Sequence, residues 1–277
     1  MTMTQPSPSI EFHQTEPATS SSVKDVIVSE WTKFRTVRST YMSLLISVAV
    51  MLALGSLITA AVVHRWNNMG FHERLTFDPT TRSLMGIFLA QLAIGVLGVL
   101  VISSEYATGT IRSTLAAVPQ RLTVLFSKAL VFAVTTFTVT LVGCFVSFSV
   151  GQAILSQIGI GTSLSQPGVL RAVIGGSLYL SVIGLLALGL GTIIRHTAGG
   201  ITALVGLIMV LPGLVAALPS PWSTDIGKYL PGEAGMNIFS VVSTPNSLGP
   251  WSGFLVFCGW TAVILAIAGW CLVKRDA

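Results

Sequence analysis

The stretch LMGIFLAQLAIGVLGVLVIS at residues 84–103 runs for twenty positions without a charge, between Arg82 and Glu105. Twelve of the twenty are Leu, Ile, Val or Phe. Each favours insertion by roughly 0.3–0.6 kcal/mol at mid-bilayer depth, on the order of 5 kcal/mol together, with Gly and Gln91 subtracting some. At about 1.5 Å rise per residue, a helix of this length crosses a hydrocarbon layer of about 30 Å. Working outward, five further charge-free gaps of at least 22 positions occur at 39–63, 129–170, 172–194, 196–224 and 234–273. The sequence therefore predicts an all-α integral membrane protein with six transmembrane helices, at about 41–63, 84–104, 129–153, 172–194, 198–218 and 251–273. The surplus in the two longest gaps is expected to be uncharged loop.

Composition agrees. Only 9% of the 277 residues are charged, against about 25% in a soluble domain, and the mean hydropathy is +0.81. A water-soluble surface cannot be built from that. A secretory signal does not explain the first apolar run, which follows some forty mostly polar residues and exceeds the roughly 7–15 residues of a signal core. Cys144, Cys258 and Cys271 all fall inside apolar runs and form neither a disulfide framework nor a metal-spaced set.

Six spans put both termini on one side and divide the basic residues ten to five. Lys24, Lys33, Arg35, Arg38, Arg112, Arg121, Lys128, Arg195, Lys274 and Arg275 face Arg65, Arg74, Arg82, Arg171 and Lys228. The richer side is expected to be cytoplasmic. The basic pI of 9.4 thus reflects topology, and no nucleic-acid partner is implied, because no basic stripe carries interleaved aromatics.

Residues 1–21 are rich in Pro, Ser, Thr and Gln and read as a disordered cytoplasmic tail. From Ser22 the pattern changes. Val23, Val26, Ile27, Trp31, Phe34 and Val37 recur at three- and four-residue steps, with Lys24, Asp25, Glu30, Lys33, Arg35 and Arg38 on the rest of the wheel. This predicts an amphipathic interfacial helix over 22–38, opened by a Ser22/Asp25 cap, with Trp31 at headgroup level and basic residues toward anionic membrane lipid. The same charges would also serve as a plain positive flank with incidental periodicity.

The link SSEYATGTIRSTLAAVPQRLTVLFSK, residues 103–128, carries the most information. Glu105 ends an apolar run, Gly109 can break the helix and Thr110 can cap a new one. Ile111, Leu115 and Val118 then share one face, and Pro119 discourages continuation. The expected product is a short helix presenting an apolar ridge to the cytoplasm, where it would seek a protein partner. On the other side, His64 and His72 read as surface residues, and 156–171 as a Gly/Ser/Gln-rich connector. Residues 219–250, punctuated by Pro219, Pro221, Pro231 and Pro245, suggest two interfacial half-helices at 222–230 and 233–242; an ordinary loop is the alternative.

Chemistry motifs are absent. There is no GxxxxGK[ST], HExxH or GxSxG, so no usual phosphate cradle, zinc site or nucleophile elbow is present. Neutral Gln91, Thr135, Thr136, Thr138, Thr140, Ser147, Ser149 and Gln152 lie within spans; they could line a passage, although packing by interhelical hydrogen bonds is favoured. A self-sufficient secondary transporter or channel, the alternative function, would need an ionisable group near the midplane.

Taken together, the segment ending SEWTKFRTVRS, the E-x-x-x-GT-I-R-x-x-L-x-x-x-P-x-R-x-x-x-x-x-x-K pattern from Glu105 to Lys128 and the broken segment before the last span resemble the permease subunits of bacterial ATP-binding cassette transporters of the type-2 (ABC-2) export class. The plain connector at 156–171 departs from that pattern. The resemblance implies an ATP-driven exporter of a small or amphiphilic compound in the bacterial plasma membrane. It implies pairing with a second permease, identical or related, and separate ATPase subunits that bind the ATP and Mg; no cofactor, metal or catalytic residue is expected on this chain. It also assigns coupling to the ATPase to Glu105, Gly109, Thr110, Ile111, Arg112, Leu115, Val118 and Arg121, and contacts of the interfacial helix to Trp31, Lys33, Phe34, Arg35 and Arg38.

Overall fold

A computed structural model describes residues 22–118, 120–242 and 246–275. The expected tail at 1–21, and the breaks at Pro119 and Pro245, lie outside them. The described chain is helical. Its elements are α1 (Val23–Thr36), α2 (Arg38–Arg65), α3 (Phe71–Leu75), α4 (Pro79–Ser83), α5 (Ile87–Ala107), α6 (Thr110–Ala117), α7 (Arg121–Leu155), α8 (Val169–Ile194), α9 (Thr197–Val205), α10 (Leu211–Ala216), α11 (Trp222–Gly227), α12 (Pro231–Met236) and α13 (Pro250–Lys274). Six helical stretches are long and apolar enough to span a bilayer: α2, α5, α7, α8, α9 continued through α10, and α13. All six overlap the expected spans.

The third differs most. It begins at Arg121 rather than near 129, so Arg121 and Lys128 lie inside the helix. At 35 residues it is about 50 Å long. Charge-free gaps locate the hydrocarbon-crossing part of a helix, not its extension beyond.

α8 is the axis of the bundle. In its most apolar stretch 72% of the residues are buried, against 56% for α5 and 22–39% for the other spans. It packs against α5, α7, α9 and α13. Without water to drive association, helices in lipid rely on close approach. Gly98 of α5 shows how close: a Cβ there would collide with the Gly184 carbonyl oxygen of α8 and reach within 3.0 Å of Ala187. The fifth span changes its hydrogen-bonding pattern for a chemical reason. Pro212 has no N–H to give to Ile208, and the preceding turn widens to a π-turn over Gly206–Val210.

At the end of the bundle opposite α1, polar side chains tie the loops down. Asp78 caps α4, accepting from Thr80 N (2.9 Å), Thr81 N (3.1 Å) and Thr81 Oγ1 (2.6 Å), and also from Val241 N and Val242 N (3.0 and 3.2 Å). Arg171 donates to the carbonyls of Ile238 (2.8 Å) and Ser240 (2.9 Å). The segment at 219–250 does contain two short helices. α12 is buried against α13 and α8, whereas no residue of α11 is buried.

Of the neutral polar residues in the spans, Gln91, Ser147 and Gln152 tie elements together by hydrogen bonds. Tyr179 OH donates to Gln91 Oε1 at 2.5 Å, Ser147 Oγ to the Ser83 carbonyl at 2.8 Å, and Gln152 Nε2 to Pro79 O and Ser83 Oγ at 3.1 and 3.0 Å. The Thr135, Thr138 and Thr140 hydroxyls bond back to their own helix at 2.8, 2.8 and 2.7 Å.

Candidate functional site

The site forms where α1 and α6 fold against the ends of α5 and α7. α1 opens with the expected capping box: Asp25 accepts from Ser22 N at 3.1 Å, and the Ser22 hydroxyl accepts from Lys24 N at 3.4 Å. Its buried residues are Val26, Glu30 and Phe34, at four-residue steps along one stripe. Phe34 meets Phe132 of α7 edge-on, with ring centroids 6.1 Å apart. This corrects the expected orientation. Glu30 and Lys33 turn inward, while Trp31, Arg35 and Arg38 are exposed.

The inward turn has an electrostatic cause. Lys128, 3% exposed and seven residues into α7, donates to Glu30 Oε2 at 2.6 Å and to Glu105 Oε1 of α5 at 2.8 Å. Lys33 donates to Glu30 Oε1 at 2.9 Å, and reaches Glu105 Oε1 and Thr114 Oγ1 of α6 at 3.4 Å each. Two cations and two carboxylates form a neutral cluster drawn from three helices, with a hydroxyl from a fourth. A buried charge costs several kcal/mol unless it is paired and hydrogen-bonded, and departure of α1 would take Glu30, the shorter of its two carboxylate contacts, away from the buried Lys128. Beside the cluster lies a cleft of about 530 Å³ whose wall includes Thr40, Ser104, Thr108 and Ser113.

Burial works against ionisation of Glu30, but Lys128 and Lys33 outweigh it and hold its carboxyl below the ordinary value of 4.5. Burial likewise opposes the Lys33 charge, and Glu30 and Glu105 outweigh it, raising the ammonium above 10.5. The depressed Glu30 value stabilises the fold above pH about 4.5 and is lost as pH falls through the folded value. The raised Lys33 value stabilises below about 10.5 and is lost as pH rises through its folded value. The melting-temperature gap between the wild type and Glu30→Gln is therefore expected to be flat from about pH 5.5 to 9 and to close below about 4.5. A gap that does not narrow at all as the pH is lowered from about 4.5 would remove Glu30 ionisation as its cause.

α6 departs from expectation in a useful way. Gly109, at φ +72°, is its N-cap in the left-handed region, where glycine carries no Cβ penalty. Thr110 is therefore the first helical residue and not the cap. Ile111 and Leu115 are 2% and 9% exposed, and Val118 packs half-buried beside them. The expected apolar ridge thus points into the bundle. Burying it leaves Thr110, Arg112, Ser113, Ala116 and Ala117 as the outward face.

Arg121 stands apart from the cluster, donating through Nη1 to the carbonyls of Leu272 (2.9 Å) and Arg275 (3.2 Å) and so capping α13. Glu30, Lys128 and Thr114 are the members that sequence reasoning did not single out. The signal was present: Glu105 and Lys128 bracket the Glu105–Lys128 pattern with opposite charge, and Glu30 sits four residues from both Val26 and Phe34 on the buried stripe.

A bundle of six helices long and apolar enough to cross a bilayer, with α1 and α6 packed at one end, defines a multi-pass membrane protein. The family described as ABC-2 family transporter protein matches residues 26–213, from within α1 to α10 and well over half the chain. The chain belongs to that family and is a membrane-spanning permease subunit of an ABC transporter, a component that associates with an ATP-binding cassette subunit. No curated protein matches it.

Proposed function

We propose that this permease pairs with a second permease subunit and exports a small or amphiphilic compound, energised by ATPase subunits that bind ATP and Mg and dock at the α1/α6 end. The ten-to-five division of basic residues supports a cytoplasmic position for that end. One observation carries the reading: Glu30, Lys33, Glu105 and Lys128 bind α1, α5 and α7 into one unit that also holds Thr114 of α6. A push on the outward face of α6 would be transmitted to the second and third spans through these contacts, without a flexible joint between them. The buried charges do not favour a secondary transporter. Lys128 lies about 10 Å from the start of a helix about 50 Å long, well short of its middle.

Reconstitution tests this. Vesicles holding the permease and its ATPase subunit should accumulate a fluorescent amphiphile only with ATP and Mg. Vesicles holding the permease alone should accumulate none under an imposed proton or sodium gradient. Gradient-driven accumulation by the permease alone would overturn the proposal.

A further inference from the structure

A second feature lies at the same end of the bundle. Between the first turns of α7 and the last turns of α13 lies a groove of about 580 Å³, lined by nine residues of which none is charged. Leu122, Leu125 and Phe126 form one wall, and Trp270 and Val273 belong to the other. Gly269 keeps it open, since a Cβ there would stand 3.0 Å from Leu122 Cδ2. Leu122, Phe126, Trp270 and Val273 are all about half exposed or more, so the described chain leaves the groove uncovered.

Charge identifies what fits. The Lys274 ammonium sits 5.0 Å from the centre of the Trp270 ring, placing a cation directly on the groove wall. Arg121 and Arg275 lie at the same helix ends with their guanidiniums on backbone carbonyls, Arg121 on those of Leu272 and Arg275 (2.9 and 3.2 Å) and Arg275 on that of Ile193 (3.2 Å). Neither α7 nor α13 contains an acidic residue. Glu30 and Glu105, on α1 and α5, are already engaged by Lys128 and Lys33. An apolar trough that ends under a tryptophan carrying an ammonium, with two further cations at the same helix ends, matches an acyl chain topped by a negative headgroup. We infer that this groove is a binding site for an anionic phospholipid of the surrounding leaflet, with one acyl chain between α7 and α13 and its phosphate beside Lys274. This inference does not rest on the transport reading.

Native mass spectrometry of the full-length permease in a neutral detergent, with equimolar dioleoyl phosphatidylglycerol and dioleoyl phosphatidylcholine, tests it. The wild type should retain phosphatidylglycerol at least fivefold over phosphatidylcholine. Lys274→Ala should reduce that preference at least threefold, and Lys274→Arg should keep it. Gly269→Leu, which fills the trough, should lower retention of both lipids; if that variant fails to fold, the Lys274 pair decides. Equal retention of the two lipids by the wild type, or an unchanged preference in Lys274→Ala, would overturn the inference. So would a photoreactive residue at position 126 that cross-links to a second copy in membranes, because a protein surface would then occupy the groove.

Discussion

Lys128→Met is expected to destabilise the permease by about 3–5 kcal/mol, the range for breaking a buried ion pair by removing one partner. The reason is geometric. Lys128 is the shared donor to Glu30 and Glu105, at 2.6 and 2.8 Å, and methionine fills its volume while leaving two carboxylates turned toward each other with Lys33 alone to neutralise them. Lys33 is 40% exposed and screened by solvent, so it cannot replace a buried cation. α1 should come loose from α7, which limited proteolysis of residues 22–38 would report. Glu30→Gln combined with Lys128→Met removes one charge of each sign and should recover at least about 1 kcal/mol relative to Lys128→Met alone, a coupling typical of contacting groups. Strictly additive losses would mean that the cluster does not act as a unit.

The second large effect separates burial from docking on α6. Leu115→Asp puts a carboxylate at a position that is 9% exposed. It should cost about 2–4 kcal/mol from lost apolar burial and an unpaired buried charge, lowering the melting temperature and co-purification with the ATPase together. Ala116→Glu, one residue on and exposed, should leave the melting temperature unchanged and still lower co-purification at least tenfold. A Leu115→Asp protein that loses the ATPase while melting like the wild type would show that the buried side chain had been available to a partner after all.

Much of the fold was legible because lipid imposes a simple rule. Each crossing must be a charge-free run of about twenty residues, and six such runs were visible by inspection. Helix ends beyond the hydrocarbon were not, as α7 shows: its first two turns carry Arg121 and Lys128, and the rule for a crossing is silent about them. The interfacial helix was found by periodicity, yet its orientation was misjudged. Periodicity assumes that charges face out, which fails wherever two oppositely charged pairs can satisfy one another. The helical wheel sets Glu30 among the outward residues, yet it is 4% exposed, because Lys128 arrives from a helix about a hundred residues later in the sequence. The α6 ridge failed for a related reason. Ile111, Leu115 and Val118 were correctly grouped on one face, but a face pattern gives no direction, and the bundle itself supplied the apolar surface that a partner was expected to provide. The closely packed α5–α8 contact at Gly98 was likewise invisible, since a glycine-rich apolar run looks the same whether it meets lipid or a neighbouring helix.

In the proposed function, the ATPase grips this permease on the outward face of α6, backed by the buried charge cluster. Photo-cross-linking in intact cells that express both subunits tests it most directly, with a photoreactive residue placed at position 116 on α6 or at position 222 on α11 at the far end. The expected result is a covalent adduct with the ATPase from position 116 and none from position 222. An adduct from position 222, or none from position 116 while the two subunits still co-purify, would contradict the account.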